Sequence, residues 1–148
     1  MTDADRAEFG IEGDWAVLRR HRIRWSECDL YAHVNNAAYL ALCEDLRVSH
    51  WLALGGRFEV GEPGPVVGQL EARYLRPLGF DDAVAVTMRP GTLRRTSFTH
   101  EYAVWKQGLV FTCKAVLVLI VNGSGERVPI PAAMRATLIA QGGREEAA

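Results

Sequence analysis

Apolar and polar positions change their period along this chain, and the changes mark its elements. From Val17 to Ser26, Leu18, Ile23 and Trp25 stand among arginines. This partial alternation predicts a strand with one solvated face. From Asn35 to Leu54 the period becomes helical: Val34, Ala37, Ala38, Ala41, Val48 and Leu52 share a broad stripe extended by Leu42 and Leu46. Asn36, Glu44, Arg47 and Trp51 gather on the opposite side of that wheel. Asn35 or Asn36 supplies an N-cap and Gly55-Gly56 a stop. The result is a helix of about 20 residues, roughly 30 Å long, which needs a large surface to pack on.

The remainder reads as strands: Val66–Leu75, Ala83–Arg89, Leu93–Lys106 and Leu109–Val121, broken at Arg76–Gly79, Pro90-Gly91 and Gln107-Gly108. In one of them Phe98, His100, Tyr102 and Val104 point one way and Thr99, Glu101, Ala103 and Trp105 the other. Val110–Val121 is almost wholly apolar, as a central strand is. Pro131–Ala140 is a short closing helix after the turn at Asn122–Gly125. The order predicts an α+β fold, with one long helix across the concave face of an antiparallel sheet of about five strands.

At 148 residues the chain is expected to form a single domain over 1–148, with 1–13 and 141–148 as loose termini. A 49% hydrophobic and 24% charged composition excludes disorder as the main state. Seventeen basic against eighteen acidic residues leave a net charge of −1, which favours neither nucleic acid nor an anionic membrane as partner. The longest apolar run, Ala115–Val121, falls far short of a bilayer span, and the polar start has no signal-peptide core. Cys28, Cys43 and Cys113 make no disulfide framework. A reducing, cytoplasmic setting is expected.

The densest polar cluster, Glu27 to Asn36, sits where the first strand meets the long helix. A helix N-terminus presents unpaired N–H groups and the positive end of its dipole. Those donors suit a developing oxyanion, and a carboxylate a few residues upstream, Asp29, suits a general base or nucleophile. The same residue types also serve as caps and turn formers. His33 stands between an acid/base role and a structural one.

Arg24-Trp25-Ser26-Glu27-Cys28-Asp29-Leu30-Tyr31-Ala32-His33-Val34-Asn35-Asn36-Ala37-Ala38-Tyr39, continuing to Glu44–Arg47, resembles the acyl-CoA thioesterases of the 4-hydroxybenzoyl-CoA thioesterase family. Their pattern is R-x-x-D-x-D-x-x-G-H-V-N-N-x-x-Y-x-x-x-x-E-x-x-R. Three further segments follow in order: Tyr74-Leu75-Arg76-Pro77 with its downstream aspartates, Arg94-Arg95-Thr96-Ser97-Phe98, and the closing strand and helix of Gly125–Leu138. The resemblance covers about residues 17–140. It implies the hot-dog fold, thioester hydrolysis without a cofactor or metal, and a homodimer or homotetramer with the site between subunits. It implies Asp29 as nucleophile or general base, Asn36 as oxyanion donor through its backbone N–H, and His33 beside them. Substrate contacts are expected from Arg94, Arg95, Ser97, Tyr39 and Trp51, with acyl-CoA, or an acyl carrier protein, as the thing bound. A non-catalytic binder of acyl thioesters is the contrasting class.

Two positions depart from the pattern: Ala32 stands where Gly is usual, and Glu27 replaces the first acid of the D-x-D pair. The former obliges the loop to accept a Cβ. Glu44 is a second carboxylate, but it stands three residues before Arg47, the spacing of an ion pair. Cys28 and Cys43 with His33 and His50 match no common zinc spacing. Arg94 and Arg95 suit the phosphates of coenzyme A, or simply solvate a strand end.

Overall fold

The computed structural model describes residues 1–147. The chain runs α1 (Asp3–Phe9), β1 (Val17–Arg22), α2 (Asn36–Ala53), β2 (Pro63–Tyr74), β3 (Ala83–Leu93), β4 (Ser97–Trp105), β5 (Leu109–Val121), α3 (Ala132–Ala140) and β6 (Arg144–Glu145). Five strands pair antiparallel in the order β1-β3-β4-β5-β2, and the two-residue β6 adds parallel to β3. One face of the sheet presents Val84, Val86, Met88, Phe98, Tyr102, Val104, Phe111 and Leu117, all buried in one cluster with α2. The split predicted for Phe98–Trp105 is the one observed: Ala103 and Trp105 belong to a second, smaller cluster. A long helix gripped by an antiparallel sheet is the hot-dog fold, and the α+β expectation holds.

The face that α2 buries differs from the wheel. Tyr39, Leu42, Cys43, Leu46, His50 and Trp51 point into the core, while Ala37, Ala41, Val48 and Leu52 are exposed. Burial stabilises in proportion to apolar area, so the face carrying Tyr39, Leu46 and Trp51 goes under. The stripe read from sequence is split: Leu42 and Leu46 are buried, while Ala37, Ala41, Val48 and Leu52 face outward. Asn35 settles the cap, accepting the Ala37 N–H at 2.8 Å.

Strand limits move as well, the start of β4 from Leu93 to Ser97 among them. β1 ends at Arg22, and Trp25–Glu27 forms a 3₁₀ turn instead of extending it. β2 begins at Pro63, three residues before Val66. The break expected at Pro90-Gly91 is a bulge inside β3: the β3–β4 register slips between Pro90 and Leu93. The Thr99 hydroxyl accepts the Thr92 N–H there, so close to Gly91 that a Cβ would lie 2.3 Å from it.

The leader is not loose. Thr2 and Asp5 form a capping box on α1, and Asp5 is held down to about 2 by hydrogen bonds from Thr2 and Arg20. Phe9 and Ile11 then cover Ala85, Ala103 and Trp105 on the far face of the sheet. Two such burials are worth about 1.5–3 kcal/mol each, enough to hold a short segment in place. The tail is likewise docked in part: β6 pairs with β3, and the Glu146 N–H donates to the Leu93 carbonyl.

Beneath α2 the core contains two imidazoles. His50 Nε2 lies 2.7 Å from the Gln141 Oε1, and His100 Nδ1 lies 2.9 Å from the Tyr102 hydroxyl. Burial pushes both below the ordinary histidine pKa, with His50 and Arg47 adding to the shift at His100. Both are therefore neutral in the native state, whereas the unfolded chain takes up protons below about pH 6.5. Stability is fully present above that pH and declines as pH falls toward the native values. The slope reaches at most about 1.4 kcal/mol per pH unit for each imidazole. Thermal unfolding between pH 7.5 and 5 checks this. His100→Asn should flatten the curve, and an unchanged slope would show that other groups set acid stability.

Candidate active site

The corner between β1 and α2 is organised by Glu27. Its carboxylate accepts the Arg24 N–H at 2.7 Å and meets His21 Nε2 at 3.0 Å, and its carbonyl accepts the Asn35 N–H at 2.7 Å. Burial raises its pKa, but the bonds from Arg24 and His21 outweigh that and leave it below the ordinary value. Glu27 is thus a structural carboxylate that fixes where the helix begins.

Asp29 occupies the tight loop that follows. Its N–H donates to the His33 carbonyl at 2.8 Å, and its Oδ1 accepts the N–H groups of Tyr31 at 2.8 Å and His33 at 3.3 Å. Among the described residues no hydrogen bond uses Oδ2, so half of this exposed carboxylate is free to act. The loop is anchored from the other side by the Val34 N–H on the Leu78 carbonyl and a bridge between His33 and Gly79.

Ala32 closes the loop with φ +59°, in the left-handed region that glycine tolerates best. A Cβ there costs roughly 1 kcal/mol. Ala32→Gly is therefore expected to leave stability unchanged or raise it by up to about 1 kcal/mol, the added freedom of the unfolded chain offsetting part of the relief. Denaturant midpoints measure it, and a clear loss of stability would show that the Ala32 methyl packs usefully.

At the start of α2 the Ala37 N–H is taken by Asn35 Oδ1, with Asn36 Oδ1 also near at 3.0 Å, and the Ala38 N–H by the Asn35 carbonyl. The Asn36 N–H is unclaimed among the described residues. Asn36 is one of the residues lining a cavity of about 440 Å³, with Asp29, His33, Tyr39, Tyr74 and Arg76 among the others. Asp29, with its unengaged carboxylate oxygen, and Asn36, with its unclaimed N–H at the positive end of an 18-residue helix, thus line one cavity.

Residues 23–138 match the family described as the thioesterase-like superfamily. The chain belongs to this superfamily. A solved structure of a thioesterase-superfamily protein from Jannaschia sp. CCS1 is 33% identical, with 89% of this chain and 86% of that one covered at a TM-score of 0.81. A thioesterase from Thermus thermophilus, solved in complex with coenzyme A and Zn, is 29% identical over 88% of this chain and 96% of its own, with a TM-score of 0.73. A comparison with curated protein sequences finds no match.

In this thioesterase-like chain Asp29, His33, Asn36 and Tyr39 come together, but the other expected contacts do not join them. Ser97 pairs with Val118 on β5, whereas the cavity's Tyr74 pairs with Phe111, seven residues away along that strand. At about 3.3 Å per residue the separation is roughly 23 Å. Arg94 and Arg95 lie at that far end. Arg94 Nε is 3.0 Å from Glu146 Oε1, and Arg135 donates to the Arg94 carbonyl. Trp51 is buried fifteen residues beyond Asn36 on α2, its indole donating to the Arg57 carbonyl, roughly 22 Å from the cavity.

The other candidates resolve plainly. Glu44 is 3.6 Å from Arg47, the expected ion pair, and lines a different cavity. The Cys28 thiol donates to the Arg24 carbonyl, and desolvation together with Asp29 and Glu27 pushes its pKa up, away from a nucleophile. Among the described residues no cluster of three or more His, Cys, Asp or Glu is placed to hold a metal ion, and no helix is long and apolar enough to cross a membrane. Sequence reasoning missed Tyr74 and Arg76 as residues of the site. Arg76 spans the carbonyls of Lys106, Gly108 and Leu109, clamping the β4–β5 hairpin beside the cavity. Their signal was the Tyr74-x-Arg76-Pro77 segment itself, which a sequence reading treats as a family mark and not as a set of contacts.

Proposed function

We propose that this protein is an acyl-CoA thioesterase, converting R–CO–S–CoA and water to a free acid and CoA-SH. The observation that carries the reading is that Asp29, with its unengaged carboxylate oxygen, and Asn36, with its unclaimed N–H, line one cavity. A thioester carbonyl seated against that N–H gains a donor where negative charge develops as the tetrahedral intermediate forms. Asp29 then acts in one of two ways. As a general base it takes a proton from water, whose oxygen attacks the carbonyl; the thiolate leaves and receives the proton. As a nucleophile its Oδ2 attacks directly, the thiolate leaves, and water cleaves the resulting anhydride. The coenzyme A held by the Thermus relative supports CoA as the carrier.

The far-end placement of Arg94 and Arg95 supports a site shared between two copies. β2 is an edge strand, its Val66, Val67 and Leu70 are exposed, and so are Val48 and Leu52 on the neighbouring helix. An isologous pairing of β2 with itself sets its Pro63 end beside the partner's Tyr74 end. That pairing carries the arginines of a second copy toward the Asp29 cavity, where a guanidinium fork suits the CoA phosphates. Sedimentation at micromolar concentration tests this arm, and a monomer overturns it.

Release of free thiol from a panel of aliphatic and aromatic acyl-CoAs and acyl-pantetheines tests the activity. Turnover with acyl-CoA is expected. Tight binding without thiol release would instead make the protein a non-catalytic binder, and turnover only with a protein-bound acyl group would replace CoA by a carrier protein.

A further inference from the structure

Tyr74 is the last residue of β2, opposite Phe111 in register. Its ring meets Phe111 at 5.1 Å and the edge of Tyr39 at 5.3 Å, while Tyr39 stacks on Phe111 at 4.8 Å. That packing needs the ring alone. The hydroxyl has a separate target: it donates to the Asn36 carbonyl at 3.0 Å. α-Helical geometry already aims the Leu40 N–H at the same oxygen, so the phenol supplies a second donor to it. First turns of helices fray, because their peptides lack half of the usual bonds. Here the peptide on one side of Asn36 is held by the Ala38 N–H on the Asn35 carbonyl, and the peptide on the other side by Tyr74. Asn36, which lines the cavity and whose N–H is unclaimed among the described residues, is therefore tied both to its own helix and to the sheet.

We propose that Tyr74 is a positioning residue, acting through the Asn36 carbonyl to hold the Asn36 N–H at the place where an oxyanion forms. This rests on reading the cavity as a thioesterase site. An oxyanion donor works only within about 2.7–3.1 Å of the developing charge, and misplacing a reacting group by 1 Å is costly. The tie matters most in the transition state, so its loss should appear in kcat and not in KM. Burial holds the phenol above the ordinary tyrosine pKa, with Cys113 and Cys43 adding to this, so it stays protonated and donating throughout the neutral range.

Tyr74→Phe keeps the ring and deletes only the hydroxyl. Expected for acyl-CoA hydrolysis is a fall in kcat of about 10-fold with KM within twofold, and a pH–rate profile of unchanged shape on a lower plateau. Amide exchange of the first turn of α2, read at Leu40, should quicken about fivefold, while the rest of the helix is unchanged. Tyr74→Leu, which also removes the ring, should cost more in thermal stability than Tyr74→Phe. Wild-type kcat in Tyr74→Phe overturns the proposal. So does a rise in KM alone, which would make Tyr74 a substrate contact, and so does a lost limb of the pH profile, which would make it an acid or base. Should the wild-type protein cleave no thioester, the functional reading fails by itself, and the exchange experiment still decides the tie: unchanged exchange at Leu40 refutes it and faster exchange upholds it.

Discussion

Asp29→Asn is expected to lower kcat by about 1,000-fold while KM changes by only a few-fold. A positioned general base contributes typically 10²–10⁴-fold, and an amide is neither a base nor a competent nucleophile. The fold has little stake in the charge. Asp29 is exposed, and the Tyr31 and His33 N–H groups that its Oδ1 accepts are served equally well by an asparagine oxygen. Unfolding curves of the variant should therefore overlay those of the wild type. Glu44→Gln is the control, since Glu44 pairs with Arg47 and lines another cavity. If Asp29→Asn keeps near-normal turnover and Glu44→Gln does not, the catalytic carboxylate lies on α2 and Asp29 is a turn residue. A single turnover in ¹⁸O-labelled water tests the nucleophilic route. Label in the Asp29 carboxylate requires an anhydride whose Asp29 carbonyl is attacked by water, and the general-base route never places it there.

Replacing Arg94 and Arg95 together by alanine is expected to raise KM for acyl-CoA about 10-fold with kcat little changed. Phosphates far from the breaking bond receive uniform binding, which acts on KM. Two charge-assisted contacts at about 1.5 kcal/mol each would predict more than 100-fold. The lower figure follows because both arginines are exposed and because CoA must displace Glu146 from Arg94. Glu146→Gln should accordingly lower KM. Added salt should raise the wild-type KM more than that of the double variant, and an acyl-pantetheine lacking the nucleotide should show no difference between them. Mixed assemblies test the geometry. Subunits with Asp29→Asn combined with double-variant subunits should regain turnover at low acyl-CoA, because one cavity then has its own Asp29 and its neighbour's arginines. An unchanged KM in the double variant would mean that the arginines only solvate a strand end.

Where the chain alone was decisive, a local rule sufficed. The caps and turn residues placed α2 and the strands to within a few residues, because Asn35 and the hairpin glycines act on their immediate neighbours. The strict alternation of Phe98–Trp105 sorted core from far face, since the side-chain period of a strand is two. The cluster from Glu27 to Asn36 was legible as a candidate site because its polar groups fall within ten consecutive residues.

Tertiary structure decided everything that depended on which surface meets which. The helix has apolar residues on both sides, and only the sheet beneath it selects Tyr39, Leu42 and Leu46 over Ala37, Ala41 and Leu52. A leader with two large apolar residues, Phe9 and Ile11, reads as loose until Trp105 and Ala103 leave a patch for it to cover. Arg94 and Arg95 belong to the same motif set as Asp29, and Trp51 was expected to line the same pocket, yet strand register and helix length set them more than 20 Å away. Tyr74 gained its role through a bond to a residue 38 positions earlier in the chain. Local sequence rules carry no information about such distances, because pairing register and helix-to-sheet docking are collective outcomes of burying one core.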